Sequence, residues 1–175
     1  MRVFGYGSLV NRGTHAHSPA ERLTVRGWRR VWRHTGLRPV PFLTVEPAQG
    51  VEIDGLAFPV AEAERPALLE RESAYGTEVL PDGLTLFVIP VGRHPATEAL
   101  HPIRLSYLDT VVAGYLAEFG VEGVARFFET TLGWDAPVAD DRAAPLYPRA
   151  PVLTEEVRGL TDGYLERLGA ARLSV

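Results

Sequence analysis

Two hydrophobic periods divide the chain. The opening run Val3-Phe4-Gly5-Tyr6-Gly7-Ser8-Leu9 is an apolar strand that passes directly into a glycine-bearing loop. Residues 22–33, 41–46, 51–60 and 84–91 are short runs rich in Val, Leu, Ile and aromatics, bounded by Gly, Pro or Asp, and they read as further strands. Residues 61–73 change character: Ala63, Pro66, Ala67, Leu68 and Leu69 lie among Glu and Arg, which predicts a short helix with Pro66 in its early turns. From Ser106 a 3.6-residue period takes over. Leu108, Val111, Val112, Tyr115, Leu116 and Phe119 share one face of a helix that stops at Gly120. Two more helices are predicted over 121–132 and 154–168, the last opening on Thr154 with Glu155 and Glu156 in its first turn.

Between them, 133–151 is rich in Pro, Asp and Ala and lacks periodicity, so it reads as a long loop, a class of segment that is often functional. Strands first and helices afterwards predict an α+β fold, a mainly antiparallel sheet or barrel with helices on one side. At 175 residues the chain is expected to be a single domain, 1–175, without internal repeat or linker.

Composition narrows the chemistry. There is no cysteine, which excludes thiolate nucleophiles, disulfides and Cys-ligated metal centres. There is no lysine either; all 18 basic residues are arginine, which removes Schiff-base chemistry and the P-loop lysine. A net charge of −4 argues against a general nucleic-acid binder. The chain start lacks a signal-peptide pattern, and no run approaches the ~18 apolar residues that span a bilayer, so a cytoplasmic protein with no membrane partner is expected.

A strand ending in a Gly-Ser turn can aim several backbone N–H groups at one point and hold an anion or a carbonyl oxygen. A carboxylate delivered there from Leu68-Leu69-Glu70-Arg71-Glu72-Ser73-Ala74-Tyr75 would add acid–base capacity. Glu70 and Glu72 are two apart, so at most one of them faces a given pocket if the helix persists.

The ordered blocks Tyr6-Gly7-Ser8-Leu9, Arg26-Gly27-Trp28-Arg29-Arg30-Val31-Trp32-Arg33, Ile53-Asp54-Gly55-Leu56-Ala57-Phe58, Leu69-Glu70-Arg71-Glu72 and Ser106-Tyr107-Leu108-Asp109 resemble the gamma-glutamylcyclotransferase-like superfamily. The resemblance covers roughly the first two-thirds of the chain and is nearest the ChaC-type, glutathione-specific branch. It implies a small, mixed, mainly antiparallel β-barrel flanked by helices. It also implies cyclisation of a gamma-glutamyl amide, glutathione being one candidate, to 5-oxoproline with release of the amine. That chemistry needs no metal and no cofactor.

By the same resemblance Glu72 is the catalytic general base and acid, and Tyr6, Gly7, Ser8 and Leu9 hold the glutamyl group. Tyr107 is a hydrogen-bonding residue near the pocket. An inward arginine of the second block could bind a substrate carboxylate bidentately, and Arg30 is the first candidate. Glu72 is expected to be partly buried, because a carboxylate near pKa 4.3 is a poor base for an ammonium.

Other readings stay open. The same cradle could serve a non-catalytic carboxylate-binding module. The Arg/Trp strand could stack single-stranded nucleic acid, but alternation splits its arginines between two faces. His15-Ala16-His17 has no third ligand tied to it by spacing and reads as a surface loop. Asp140-Asp141-Arg142 and Tyr147-Pro148-Arg149 could close over a substrate or form an ion-paired surface. The apolar helical faces can be covered within one chain or between two, which leaves a homodimer open.

Overall fold

The computed structural model describes residues 1–174. Its frame is a six-stranded sheet in the order β4-β5-β1-β3-β2-β7. The central strand β1 (Arg2–Gly5) pairs antiparallel with β3 (Phe42–Pro59) and parallel with β5 (Leu84–Val88). β2 (Glu21–Arg33) and β3 form a long antiparallel hairpin, with β7 (Thr131–Leu132) parallel on the outer side of β2. β4 (Gly76–Val79) pairs antiparallel with β5 and forms the other edge. The expected runs 41–46 and 51–60 are therefore one strand. Pro47, which has no N–H to donate, and Gly50, at φ +77°, fall where the ladder skips between Arg26 and Trp28 without ending.

Alternation along these strands sorts the core onto two faces. Val3, Leu56 and Phe58 join the larger cluster, which is completed by the helices; Phe4, Ala57, Ile53, Val25 and Leu86 join a second cluster drawn almost wholly from strands. With no helix covering that second cluster, the sheet has to curl around it. The expected barrel is nevertheless not closed: edge strands β4 and β7 do not pair with each other. Mixed α+β architecture and a mostly antiparallel sheet are as expected.

α1 (Arg65–Arg71), α2 (Leu105–Glu129) and α3 (Glu155–Arg167) are the helices. α2 is two helical pieces joined at Gly120, whose φ of +65° breaks the turn where the sequence places the stop. The second piece ends earlier than expected, because Thr131 and Leu132 are taken into the sheet beside Arg30 and Val31. Thr154 caps α3 by accepting from the Val157 N–H at 3.3 Å.

The segment 133–151 is less of a loop than its composition suggests. β8 (Val138–Asp140) lies between β6 (Ile103–Arg104) and β9 (Arg172–Ser174) in a small parallel sheet. Asp141 then caps α2, accepting from the Ser106 N–H at 2.7 Å and the Ser106 hydroxyl at 2.5 Å. Arg142 forks onto Asp109 at 2.7 and 2.8 Å and reaches Asp162 of α3 at 2.8 Å. Burial lowers the pKa of that guanidinium, but its two carboxylates outweigh the effect and leave it raised. These anchors fix where Tyr147, Pro148 and Arg149 lie.

Candidate active site

β1 ends at Gly5, and the chain turns into a short 3-10 segment, Ser8–Val10, at the end of the strand. The turn is held from behind. The Tyr6 carbonyl accepts from Arg30 Nε at 2.9 Å and from the Tyr115 hydroxyl at 2.9 Å. The only cis peptide among the described residues is Ser18-Pro19, so the Tyr6-Gly7 unit is trans. In a trans peptide the C=O and the following N–H point in opposite directions, so clamping the Tyr6 carbonyl turns the Gly7 N–H away from Arg30. Among the described residues, neither the Gly7 nor the Ser8 N–H donates to a backbone carbonyl.

In front of this loop is a cavity of about 250 Å3, whose walls include Gly7, Ser8, Arg71, Glu72, Tyr107 and Tyr147. Glu72 comes to it from the end of α1. It is the first residue past the last helical turn, its N–H donating to the Leu68 carbonyl at 3.0 Å. Glu70, two positions earlier, is exposed, so only one of the two acids faces the cavity. The Glu72 side chain is 14% exposed and sits 3.1 Å from Arg71 Nε. Burial raises its pKa above the ordinary carboxylate value. Arg71, Arg149 and Arg38 pull it back, and the net shift is upward. Glu72 is partly buried, as expected, and its ion-pair partner is Arg71.

Arg71 connects the two halves. Besides Glu72 it reaches the Thr14 carbonyl at 2.8 Å and the Ser8 hydroxyl at 3.3 Å, so one guanidinium ties the carboxylate to the glycine-bearing loop. Sequence reasoning passed it over, because neighbours in a helix seldom meet; here the helix has already ended.

Tyr107, in the first turn of α2, packs edge-on against Tyr147 with ring centroids 5.0 Å apart. Its hydroxyl is so close to Gly7 that a Cβ there would lie 3.0 Å from it and 3.2 Å from Leu43 Cδ2. Burial raises the Tyr107 pKa, Tyr147 and Glu72 add to the rise, and Ser8 opposes it. A side chain at position 7 is thus opposed by the tyrosine already there as much as by any incoming molecule.

Tyr6 and Leu9 border the same cavity but are themselves buried. The Tyr6 hydroxyl donates to the Phe87 carbonyl. Tyr75 also lines the cavity, with its hydroxyl donating to the Leu43 carbonyl at 3.0 Å.

Arg30 is not brought to the cavity, contrary to the expectation of a substrate-binding arginine. It is 1% exposed, and its guanidinium is committed: Nε to Tyr6, Nη1 to Thr130 Oγ1 at 2.8 Å, and Nη2 to the Asp54 carbonyl at 2.5 Å and the Tyr115 hydroxyl. It also stacks 5.0 Å above the Tyr115 ring. Strand alternation correctly sends Arg30 inward; what it meets there is main-chain carbonyl. The arginines that do line the cavity, Arg38, Arg71, Arg104 and Arg149, come from loops and element ends where no period marks them.

The remaining candidates are occupied elsewhere. His15 and His17 stack on Phe58, at 4.8 and 5.0 Å, and His17 Nδ1 lies 2.9 Å from Glu64. Among the described residues there is no cluster of three or more His, Asp or Glu able to hold a metal ion, and no helix long and apolar enough to cross a membrane. The side chains around the cavity therefore offer one acid–base group, backbone donors at a strand end, phenol hydroxyls and several guanidiniums.

No protein-family model and no curated protein matches this sequence. Solved structures do match in fold. A gamma-glutamyl cyclotransferase aligns over 93% of this chain and 98% of its own, with 12% identity and a TM-score of 0.55. An uncharacterized protein from Homo sapiens aligns over 92% and 97%, with 12% identity and a TM-score of 0.53. YkqA from Bacillus subtilis aligns over 76% of this chain and 56% of its own, with 16% identity and a TM-score of 0.55. At such identities the likeness concerns architecture, and by architecture this chain has the gamma-glutamyl cyclotransferase-like fold.

Proposed function

We propose that the protein is a gamma-glutamylcyclotransferase-like enzyme that closes a gamma-glutamyl amide to 5-oxoproline and releases the attached amine. The observation that carries this reading is the pairing of Glu72 with the Tyr6–Leu9 loop across one small cavity, with Arg71 bridging them. The motif order that resembles the ChaC-type branch, and a fold shared with a gamma-glutamyl cyclotransferase, support it.

In this reading the substrate's α-amine nitrogen attacks its own γ-carbonyl carbon. The new C–N bond closes a five-membered ring, and the γ-carbonyl oxygen takes up the negative charge. The Gly7 N–H receives that oxygen, with the buried Arg30 clamp keeping the peptide turned toward it, and the Ser8 N–H, which faces the Tyr107 hydroxyl, stands beside it. Glu72 removes a proton from the α-ammonium and returns it to the leaving nitrogen as the old C–N bond breaks. One carboxyl suffices, because both nitrogens are bonded to the same tetrahedral carbon.

An α-amine near pKa 8 is a demanding proton donor for an ordinary carboxylate, so a raised Glu72 pKa is the useful direction. A substrate carboxylate beside Arg38 or Arg149 would screen two of the cations that hold Glu72 down, raising it further once the site is filled. Tyr107, in this proposal, donates to the bound glutamyl group. A cavity of about 250 Å3 is below the ~300–1,000 Å3 of drug-sized sites, which suits a glutamyl group held inside with its leaving group at the mouth.

A second reading, a carboxylate-binding module without turnover, draws on the arginines at that mouth. Incubation with a panel of gamma-glutamyl compounds, glutathione included, with detection of 5-oxoproline, separates the two. The enzyme reading expects 5-oxoproline from at least one compound; binding with no 5-oxoproline from any would leave the module.

A further inference from the structure

The walls of the Glu72 cavity carry four arginines and only one carboxylate. Arg71 takes that carboxylate. Among the described residues Arg38, Arg104 and Arg149 have no carboxylate within ion-pair distance, although Arg38 and Arg149 are near enough to Glu72 to act on its titration. Arg104 reaches only the Leu146 carbonyl, at 3.4 Å, and the Arg38 guanidinium lies 3.5 Å from the centre of the Phe42 ring. What sets these three apart from other arginines without an ion pair is that they line one cavity together. Like charges gathered around one opening without counter-charges raise the local concentration of an anion that can enter it.

The cavity also continues. A smaller space of about 100 Å3 shares Arg38, Leu43, Tyr75, Arg104, Tyr107 and Tyr147 with it and adds an apolar floor of Trp32, Val40, Pro41 and Ile103. Arg38 and Arg104 line both spaces, so a leaving amine that extends from the loop into the second space meets these two arginines. In the proposed reaction the glutamyl ammonium faces Glu72, so the glutamyl end offers Arg38, Arg104 and Arg149 one carboxylate, too few for all of them.

We propose that the leaving amine is an amino dicarboxylate, such as an acidic amino acid in gamma-glutamyl linkage, and that Arg38 and Arg104 determine this specificity by pairing with its two carboxylates. The proposal rests on the Glu72 cavity being the gamma-glutamyl site. The products are then 5-oxoproline and the free amino dicarboxylate, with no other atom gained or lost. Guanidinium–carboxylate pairs are charge-assisted and often bidentate, so two of them discriminate strongly between acidic and neutral leaving groups. Cationic leaving groups are disfavoured by the same charges.

Binding to E72Q tests this without interference from turnover. Gamma-glutamyl-glutamate, gamma-glutamyl-alanine and gamma-glutamyl-ethylamide are titrated by calorimetry at low and high salt. The diacid is expected to bind at least about tenfold more tightly than the ethylamide, a difference of about 1.4 kcal/mol, and to lose that advantage as salt screens the arginines. R38Q and R104Q, each combined with E72Q and checked by melting, should bring the ratio close to one. Equal binding of the three compounds, or a preference unchanged in both arginine variants, overturns the proposal. Turnover by the parent protein separates the two levels. Cyclisation of all three compounds at one rate contradicts the specificity and leaves the enzyme reading intact. Absence of 5-oxoproline from every compound contradicts the enzyme reading, while the binding ratio still decides the role of the arginines.

Discussion

Arg30 and Arg71 both hold the Tyr6–Leu9 loop, from opposite sides and in opposite states of completion. Arg30 lies behind the loop, sealed from solvent, with its donors matched to two carbonyls, a threonine and a tyrosine. Arg71 lies in front, 12% exposed, dividing its donors between the loop and a carboxylate that still has accepting capacity facing open space. The buried acids show the same contrast. Asp141 accepts three hydrogen bonds, from Ser106 N, Ser106 Oγ and Leu146 N, whereas the Glu72 carboxylate has one arginine and a cavity. Polar groups whose partners are all internal fix geometry; those left with unused capacity at a cavity are available for chemistry. The loop is thus a partition between a saturated support and an unsaturated site.

Changing Glu72 should have the largest effect on the site and a small one on the fold. E72Q is expected to lower kcat for 5-oxoproline formation by roughly 10²–10⁴-fold, the ordinary contribution of a positioned acid–base group. Its stability should move the other way. Because the folded Glu72 pKa is raised, its protonated form stabilises the fold at low pH, and that contribution is lost as pH rises through the folded-state value. Glutamine loses nothing on that titration, so the Tm of E72Q relative to the parent should increase from pH 4 to pH 7. Melting curves at the two pH values read this directly, and a constant difference would count against a buried, raised carboxyl.

On the other side of the partition the effects should reverse. Arg30→Met leaves the Asp54 carbonyl, the Tyr6 carbonyl and Thr130 Oγ1 each short of a donor. The expected cost is on the order of 3 kcal/mol, or a fall in Tm of about 6–12 °C for a chain of this length. Activity should be lost in step with the fold, as denaturation followed at several temperatures would reveal. A variant that melts normally yet fails to bind substrate would instead make Arg30 a site residue.

Gly7→Ala tests the partition itself and should have the smallest effect. The added methyl must displace the Tyr107 hydroxyl or Leu43 by a few tenths of an ångström. Roughly tenfold lower kcat/KM with little change in Tm is expected, since small displacements in a positioned site are felt mainly in catalysis.

Much of this was visible in the primary structure. The strand into Gly7-Ser8, the stop at Gly120 and the Thr154 cap follow from local periods and turn chemistry. The choice of Glu72 over Glu70 came instead from the resemblance, the period saying only that at most one of the two faces a pocket. Arg30 shows where such reasoning ends. Alternation places it on the inner face of β2, but whether an inward guanidinium meets ligand or carbonyl depends on Tyr6, Asp54 and Tyr115, which are distant in sequence. Arg38 and Arg104 were invisible for the converse reason, and Arg149 was marked only as part of a segment that could close over a substrate. They lie at element ends and in aperiodic segments, and only the packing of α2, 133–151 and the β2–β3 connection brings them to one opening. The β4 edge strand was missed because Gly76-Thr77-Glu78-Val79 is short and largely exposed, with pairing to β5 supplying the order that its sequence does not.

The central claim is that Glu72 and the Tyr6–Leu9 loop act on one γ-glutamyl group, and a crystal structure of E72Q with a bound gamma-glutamyl compound tests it most directly. The account expects the γ-carbonyl oxygen within hydrogen-bond distance, about 3 Å, of the Gly7 or Ser8 N–H, with the α-amine equally close to the side chain at position 72. A glutamyl group bound with its amine turned away from position 72, or held by the arginines without touching the loop, would contradict it.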